Sequence, residues 1–214
     1  MESVHEISLL IPDSILFGSL LLYFLTQNLA YGVFGIFIIE TVLSHRILSW
    51  ISSQSVGPSR SPLLQGVVCR SGYKTPQFKP ERIFLHDNYP SYGLYSITSI
   101  ATYLWLATKE FAATLDTMGP EWQSRAFVAY SLIGTVVLLF ALVRWNKGCE
   151  SLGEMVIAVI LALLTGIVFY TVNKRLFGAE AMNFLGLPSL VTKDSQGTPI
   201  YVCAIEKGEP TTSA

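Results

Sequence analysis

Four long stretches of this chain carry no charged residue: Ser14 to Ile39, Pro90 to Thr108, Ala126 to Val143 and Met155 to Asn173. A helix needs about 20 mainly apolar residues to cross a bilayer, so each stretch reads as a transmembrane span. That constraint dominates every other. Only 14% of the 214 residues are charged against 51% hydrophobic, and the net charge is −1. Soluble domains usually carry about a quarter charged residues. Thr26, Gln27 and Asn28 interrupt the middle of the first span, a place for a kink. The second span is the least apolar, being polar at its start and short at its end.

The amino terminus holds Glu2, Glu6 and Asp13 and no Lys or Arg, the wrong flank for a secretory signal. The first span is therefore expected to persist as an anchor. With four spans, both termini fall on one side. The long loop 40–89 and the short loop Arg144 to Glu154 share the other. Loop 40–89 carries Arg46, Arg60, Arg70, Lys74, Lys79 and Arg82, and the positive-inside rule leans it toward the cytosol.

Within that loop, Ile39 to Ile51 has apolar residues at helical spacing. It reads either as an interfacial helix or as the end of the first span. Ser52 to Ser61 is a Ser/Gly/Pro stretch expected to be irregular. The aromatic and proline-containing segment after it is expected to order over the bundle mouth. In the tail, Gly197 to Ile205 has the composition of one short strand. A lone strand needs a partner edge, and the alternative is a frayed tail. Cys69, Cys149 and Cys203 show neither a disulfide framework nor a zinc spacing, so free thiols are expected. The expected architecture is an all-α, polytopic transmembrane helix bundle of about four spans, with one long ordered loop and a short tail strand. Residues 1–175 form the membrane bundle and 176–214 an extramembrane tail.

The segment RWNKGCESLGE, Arg144 to Glu154, joins the third and fourth spans. Its layout resembles the last signature motif of the phosphatidic acid phosphatase type 2 superfamily: Ser-Arg, five residues, His, three residues, Asp, then a Gly/Ala-rich transmembrane helix. Val143 stands for the Ser, Arg144 for the Arg, Glu150 for the nucleophilic His and Glu154 for the Asp. The family's middle motif, Pro-Ser-Gly-His at a helix start, is matched by Pro90 and Ser91, with Gly93 in place of the general-acid His. The first motif, Lys, six residues, Arg-Pro, is met only by Lys74 and Arg82, which are separated by one residue too many and followed by Ile83.

The resemblance implies a phosphatase-like bundle without its catalysis. Family members hydrolyse phosphate monoesters or pyrophosphates without metal, using a nucleophile and an acid on opposite sides of phosphorus and cations to hold its oxygens. Both His are missing here, and a carboxylate at position 150 would repel phosphate. No enzymatic activity, cofactor or metal is expected. The alternatives are a phosphatase with displaced catalytic residues, or a non-catalytic binder of anionic headgroups through Lys74, Lys79, Arg82 and Arg144. His86 lies in the loop before the second span, where a solvated or capping role is the ordinary one; His5 and His45 are weaker candidates still.

A structural reading of the same charges pairs Arg144 with Glu150 or Glu154 across the bundle mouth. Glu154 also suits the start of the fourth span's helix dipole. Along that span Ala158, Ala162 and Gly166 recur every four residues, a small-residue stripe that lets a neighbouring helix approach. The CRSGYKTPQ segment and the PIYVCA tail resemble small multi-pass proteins of large nucleocytoplasmic DNA viruses of the chlorella-virus type. That resemblance implies a minor capsid component in the virion's inner membrane. Its partners would be the lipid bilayer and shell proteins, met through loop 40–89 and tail 197–205, with no nucleic acid.

Overall fold

The computed structural model describes residues 2–56, 90–118 and 120–184, and these form helices. In chain order they are α1 (Glu2–Thr26), α2 (Leu29–Val56), α3 (Tyr92–Met118), α4 (Pro120–Asn146) and α5 (Leu152–Phe177), followed by a 3-10 turn, Glu180–Met182. Three of them are long and apolar enough to cross a membrane: α2 over Leu29–Ser52, α4 over Ser124–Asn146 and α5 over Leu152–Phe177. On that basis the chain is a multi-pass membrane protein. The strand expected in the tail and the ordered aromatic loop fall outside the described residues.

The expected first span, 14–39, is not one helix. Gln27 turns the chain with a φ of 53°, and its amide closes α1 onto the Tyr23 carbonyl at 2.8 Å. Asn28 then caps α2, its Oδ1 accepting from the Ala30 amide at 2.9 Å. The Tyr23 ring lies over Gly32 and Leu20 lies over Gly35, so α1 and α2 form an antiparallel hairpin. The long helix beyond the turn runs through Glu40 to Val56, which removes the expected loop boundary at residue 40. Ile39 to Ile51 belongs to α2. The physical reason is local: Thr-Gln-Asn supplies a helix stop and a helix start without a charge, while the apolar spacing after it never breaks. Because of the hairpin, α1 begins on the same face of the bundle as the end of α2, and α5 ends on the opposite face. Asn28→Ala, which removes the cap, is expected to cost about 1 kcal/mol, read as a lower melting temperature of the detergent-solubilised chain; Asn28→Ser should restore it.

The bundle is organised around α3. Every residue from Pro90 to Ile100 is buried, under α4, α5 and α2. This explains why the 90–108 stretch reads as the weakest span: Ser91, Ser96, Thr98, Ser99 and Thr108 face protein, not lipid. By composition α3 alone does not reach the apolarity of a span. Some hydroxyls in this interior return to their own helices, as in Thr41 to the Phe37 carbonyl at 2.9 Å and Thr102 to the Thr98 carbonyl at 2.8 Å.

The outer surface is the reverse. Phe127, Leu132, Leu138, Leu139 and Trp145 on α4, and Val156, Ile160, Leu164 and Val168 on α5, are exposed. An apolar coat of this extent is a surface for lipid. Ala158, Ala162 and Gly166 are buried on α5 and bring it against α3, where Ser99 Oγ donates to the Ala162 carbonyl at 3.2 Å. A second seam is aromatic: Phe37 of α2 stacks on Tyr103 of α3 with centroids 4.1 Å apart, and Tyr170 of α5 meets Tyr103 edge-on.

Candidate functional site

The connection between α4 and α5 is built from two helix caps placed back to back. At the end of α4, Gly148 takes a φ of 64°. Its amide donates to the Trp145 carbonyl at 2.9 Å and the next amide, of Cys149, donates to the Arg144 carbonyl at 3.0 Å. This is the Schellman arrangement, which wants glycine at that position. It turns the chain back over the last turn of α4. Two residues later Ser151 caps α5 in a reciprocal box: its side chain accepts from the Glu154 amide, and the Glu154 carboxylate accepts from the Ser151 amide at 2.8 Å.

Glu150 lies between the two caps and points inward. Its side chain is fully buried and pairs with Arg144, whose guanidinium Nε donates to Oε1. The Ser91 hydroxyl, at the start of α3, donates to the same oxygen. Arg144 is 2% exposed and stands over the Phe140 ring at 5.8 Å. The other carboxylate oxygen, Oε2, has no hydrogen-bond partner among the described residues. So the fold brings together Ser91, Arg144 and Glu150 from three separate elements, while Glu154 is engaged in the cap. Gly93 is the second residue of α3, its carbonyl accepting from Ser96 Oγ at 3.2 Å.

His45 joins this face from α2. Its Nε2 lies 2.5 Å from the Pro90 carbonyl, and since a carbonyl only accepts, that nitrogen carries the proton. The ring packs against Tyr92 and Tyr95. Next to it the Tyr95 hydroxyl bonds Ser44 Oγ at 2.8 Å and Thr165 Oγ1 at 2.7 Å. Ser44 also donates to the Thr41 carbonyl. One consistent set of donors therefore runs from Thr165 through Tyr95 and Ser44 to that carbonyl, tying α5, α3 and α2 together.

Sequence reasoning ranked His45 below His86 and missed it. The available signal was the spacing: Thr41, His45 and Ser49 stand four apart on an otherwise apolar helix, and all three are buried. In a bundle coated with lipid such a polar stripe marks the inner face. Lys74, Lys79, Arg82 and His86 lie outside the described residues. The expectation of free thiols is corrected at one position: Cys149 is disulfide-bonded. Cys69 and Cys203 lie outside the described residues. Scattered spacing gave no hint of the pairing, because the fold, not the sequence interval, decides which cysteines meet.

Among the described residues no group of three or more His, Cys, Asp or Glu side chains converges as a metal site would require. An apolar groove of about 540 Å³ runs between α3, α4 and α5, lined by Trp105, Val137, Leu163 and neighbours. It opens between the helices, away from the Arg144–Glu150 pair. Chemically, the polar mouth is a buried ion pair with a hydroxyl on the same oxygen. The two charges of that pair offset one another. Comparison with known proteins finds no matching family model, no similar curated protein and no similar solved structure.

Proposed function

We propose that this chain is a non-catalytic structural component of a membrane. Its bundle crosses the bilayer through α2, α4 and α5 at the lipid surface, with α3 as a fourth crossing carried inside them. The observation that supports the non-catalytic reading is the Glu150 carboxylate. It takes the hydrogen bonds of Arg144 and Ser91 that a phosphoryl group would need. A second anion there meets a like charge in a medium of low dielectric, where repulsion is strong. The bundle is phosphatase-like only in the sense implied by the resemblance of Pro90, Ser91, Gly93, Arg144, Glu150 and Glu154 to the superfamily's motifs.

The test is phosphate release by the purified full chain from phosphatidic acid in mixed micelles. The expected rate equals that of buffer. Release that disappears in Arg144→Ala would overturn the reading in favour of a hydrolase.

We extend the proposal to a tether between an inner virion membrane and its protein shell, as the viral resemblance implies, acting through loop 57–89 and tail 197–205. Cross-linking mass spectrometry on intact particles or native membranes addresses this directly. Links from Lys74, Lys79 or Lys207 to a shell protein support the tether. Links confined to the chain itself remove it and leave the membrane bundle standing.

A further inference from the structure

Glu40 lies near the middle of the Leu29–Ser52 apolar stretch of α2, between the exposed side chains of Ile36, Ile39 and Leu43. No cation pairs with it among the described residues. Its carboxylate accepts one hydrogen bond, from Asn173 Nδ2 of α5 at 3.0 Å. A carboxylate in an apolar medium is costly unless something neutralises it, and charges at membrane depth generally serve a purpose.

Asn173 supplies the second observation. It is fully buried, and its Oδ1 has no hydrogen-bond partner among the described residues. The Tyr103 hydroxyl of α3 donates to Met182 Sδ at 3.2 Å, which leaves its oxygen lone pairs for the side of Asn173 and Glu40. Side chains from three helices lie close together here, with the Asn173 nitrogen on the Glu40 carboxylate and its orphaned oxygen on the other arm of the same amide. Other titratable groups toward this end of the packed helices are Tyr170, Lys174 and Arg175 on α5 and Lys109 and Glu110 on α3. Lys174 is already engaged with Glu110 at 2.7 Å, so its charge is shared with another acid.

We propose that Glu40, Asn173 and Tyr103 form an intramembrane site for a small monovalent cation, with Na⁺ the species that matches the donor set. The donors are hard oxygens, which disfavour soft metals that seek sulfur or imidazole. One carboxylate neutralises one positive charge; a divalent ion would leave a net charge in the same apolar surroundings. A half turn of the Asn173 amide exchanges its nitrogen and oxygen. The NH₂ then serves the bare carboxylate, and the oxygen serves a cation bound to it. Protons compete for the same carboxylate.

The experiment uses the full chain in liposomes and dicyclohexylcarbodiimide, an apolar reagent that modifies protonated carboxyl groups within membranes. Modification of Glu40 is read by mass spectrometry in NaCl against choline chloride at equal ionic strength. The labelling rate is expected to fall about tenfold when Na⁺ reaches ten times its Kd, by mass action. Asn173→Ala should keep the labelling and lose the protection. In parallel, Na⁺ should raise the melting temperature of the solubilised wild type and not of Glu40→Gln. Equal labelling in both salts, or no labelling of Glu40 in either, together with no Na⁺-dependent melting shift, overturns the site. A carboxyl group that binds only protons gives the first of those results.

Discussion

Arg144→Ala is expected to destabilise the chain by about 3–5 kcal/mol, the range for removing one partner of a buried ion pair. The Glu150 side chain is fully buried. Without the guanidinium its charge keeps only the Ser91 hydroxyl, and Oε2 already lacks a partner among the described residues. The double replacement Arg144→Met with Glu150→Met removes both charges and fills the same space, and it should lie much nearer the wild type. Unfolding of the solubilised protein in denaturing detergent, followed by circular dichroism, measures both variants against the wild type. Against a total stability of about 5–15 kcal/mol, the single replacement is large. If it melts with the wild type, the pair is not what holds the mouth closed.

The second large effect is at Gly166. A Cβ there would come within 2.7 Å of Thr102 Cβ and 3.0 Å of the Ser99 carbonyl oxygen. The first is a branched carbon fixed to the backbone and the second is backbone, so neither can swing aside. Gly166→Ala therefore has to push α5 away from α3, at a cost of about 1–3 kcal/mol for overpacking. Gly166→Leu is expected to cost more and to break the Ser99 to Ala162 hydrogen bond one turn away. Gly134 on α4 is the control, since an added Cβ meets nothing within 4 Å. Gly134→Ala should be neutral or gain up to about 1 kcal/mol of helix propensity. The same unfolding assay separates them; equal effects at the two glycines would sink the close-packing argument.

The uncharged stretches located α4 and α5 within a few residues of each end, because in lipid the apolar run and the helix are the same object. They misled at α1 and α2. There an uncharged run continues through a hairpin, and the charges of Glu40 and Arg46 lie inside a helix instead of beyond it. Apolarity alone cannot register a turn made from Thr26, Gln27 and Asn28; cap chemistry can. The spacing of RWNKGCESLGE was legible as well, and the fold gives it a local cause. Arg144, Gly148, Ser151 and Glu154 occupy the positions that end one helix and begin the next, so two back-to-back caps produce the same intervals as a catalytic motif. What no local pattern could reveal is the meeting of Ser91 and His45 at that mouth, since it depends on how α2 and α3 are brought to α4. The tie between Glu40 and Asn173 depends in the same way on α2 and α5.

The polar interior of α3 also bears on how such a molecule comes into being. Its hydroxyl groups are comfortable only once α4 and α5 surround them, and on its own the helix is a poor solute for hydrocarbon. A single residue, Gly119, separates α3 from Pro120 at the start of α4. With α3 as the fourth crossing proposed above, the two helices would leave the aqueous phase as one folded pair, the lipophilic partner drawing the other in. Biogenesis then follows a sequence set by chain order: an entrant that cannot stand alone waits for its sponsor, and α5 completes the enclosure last.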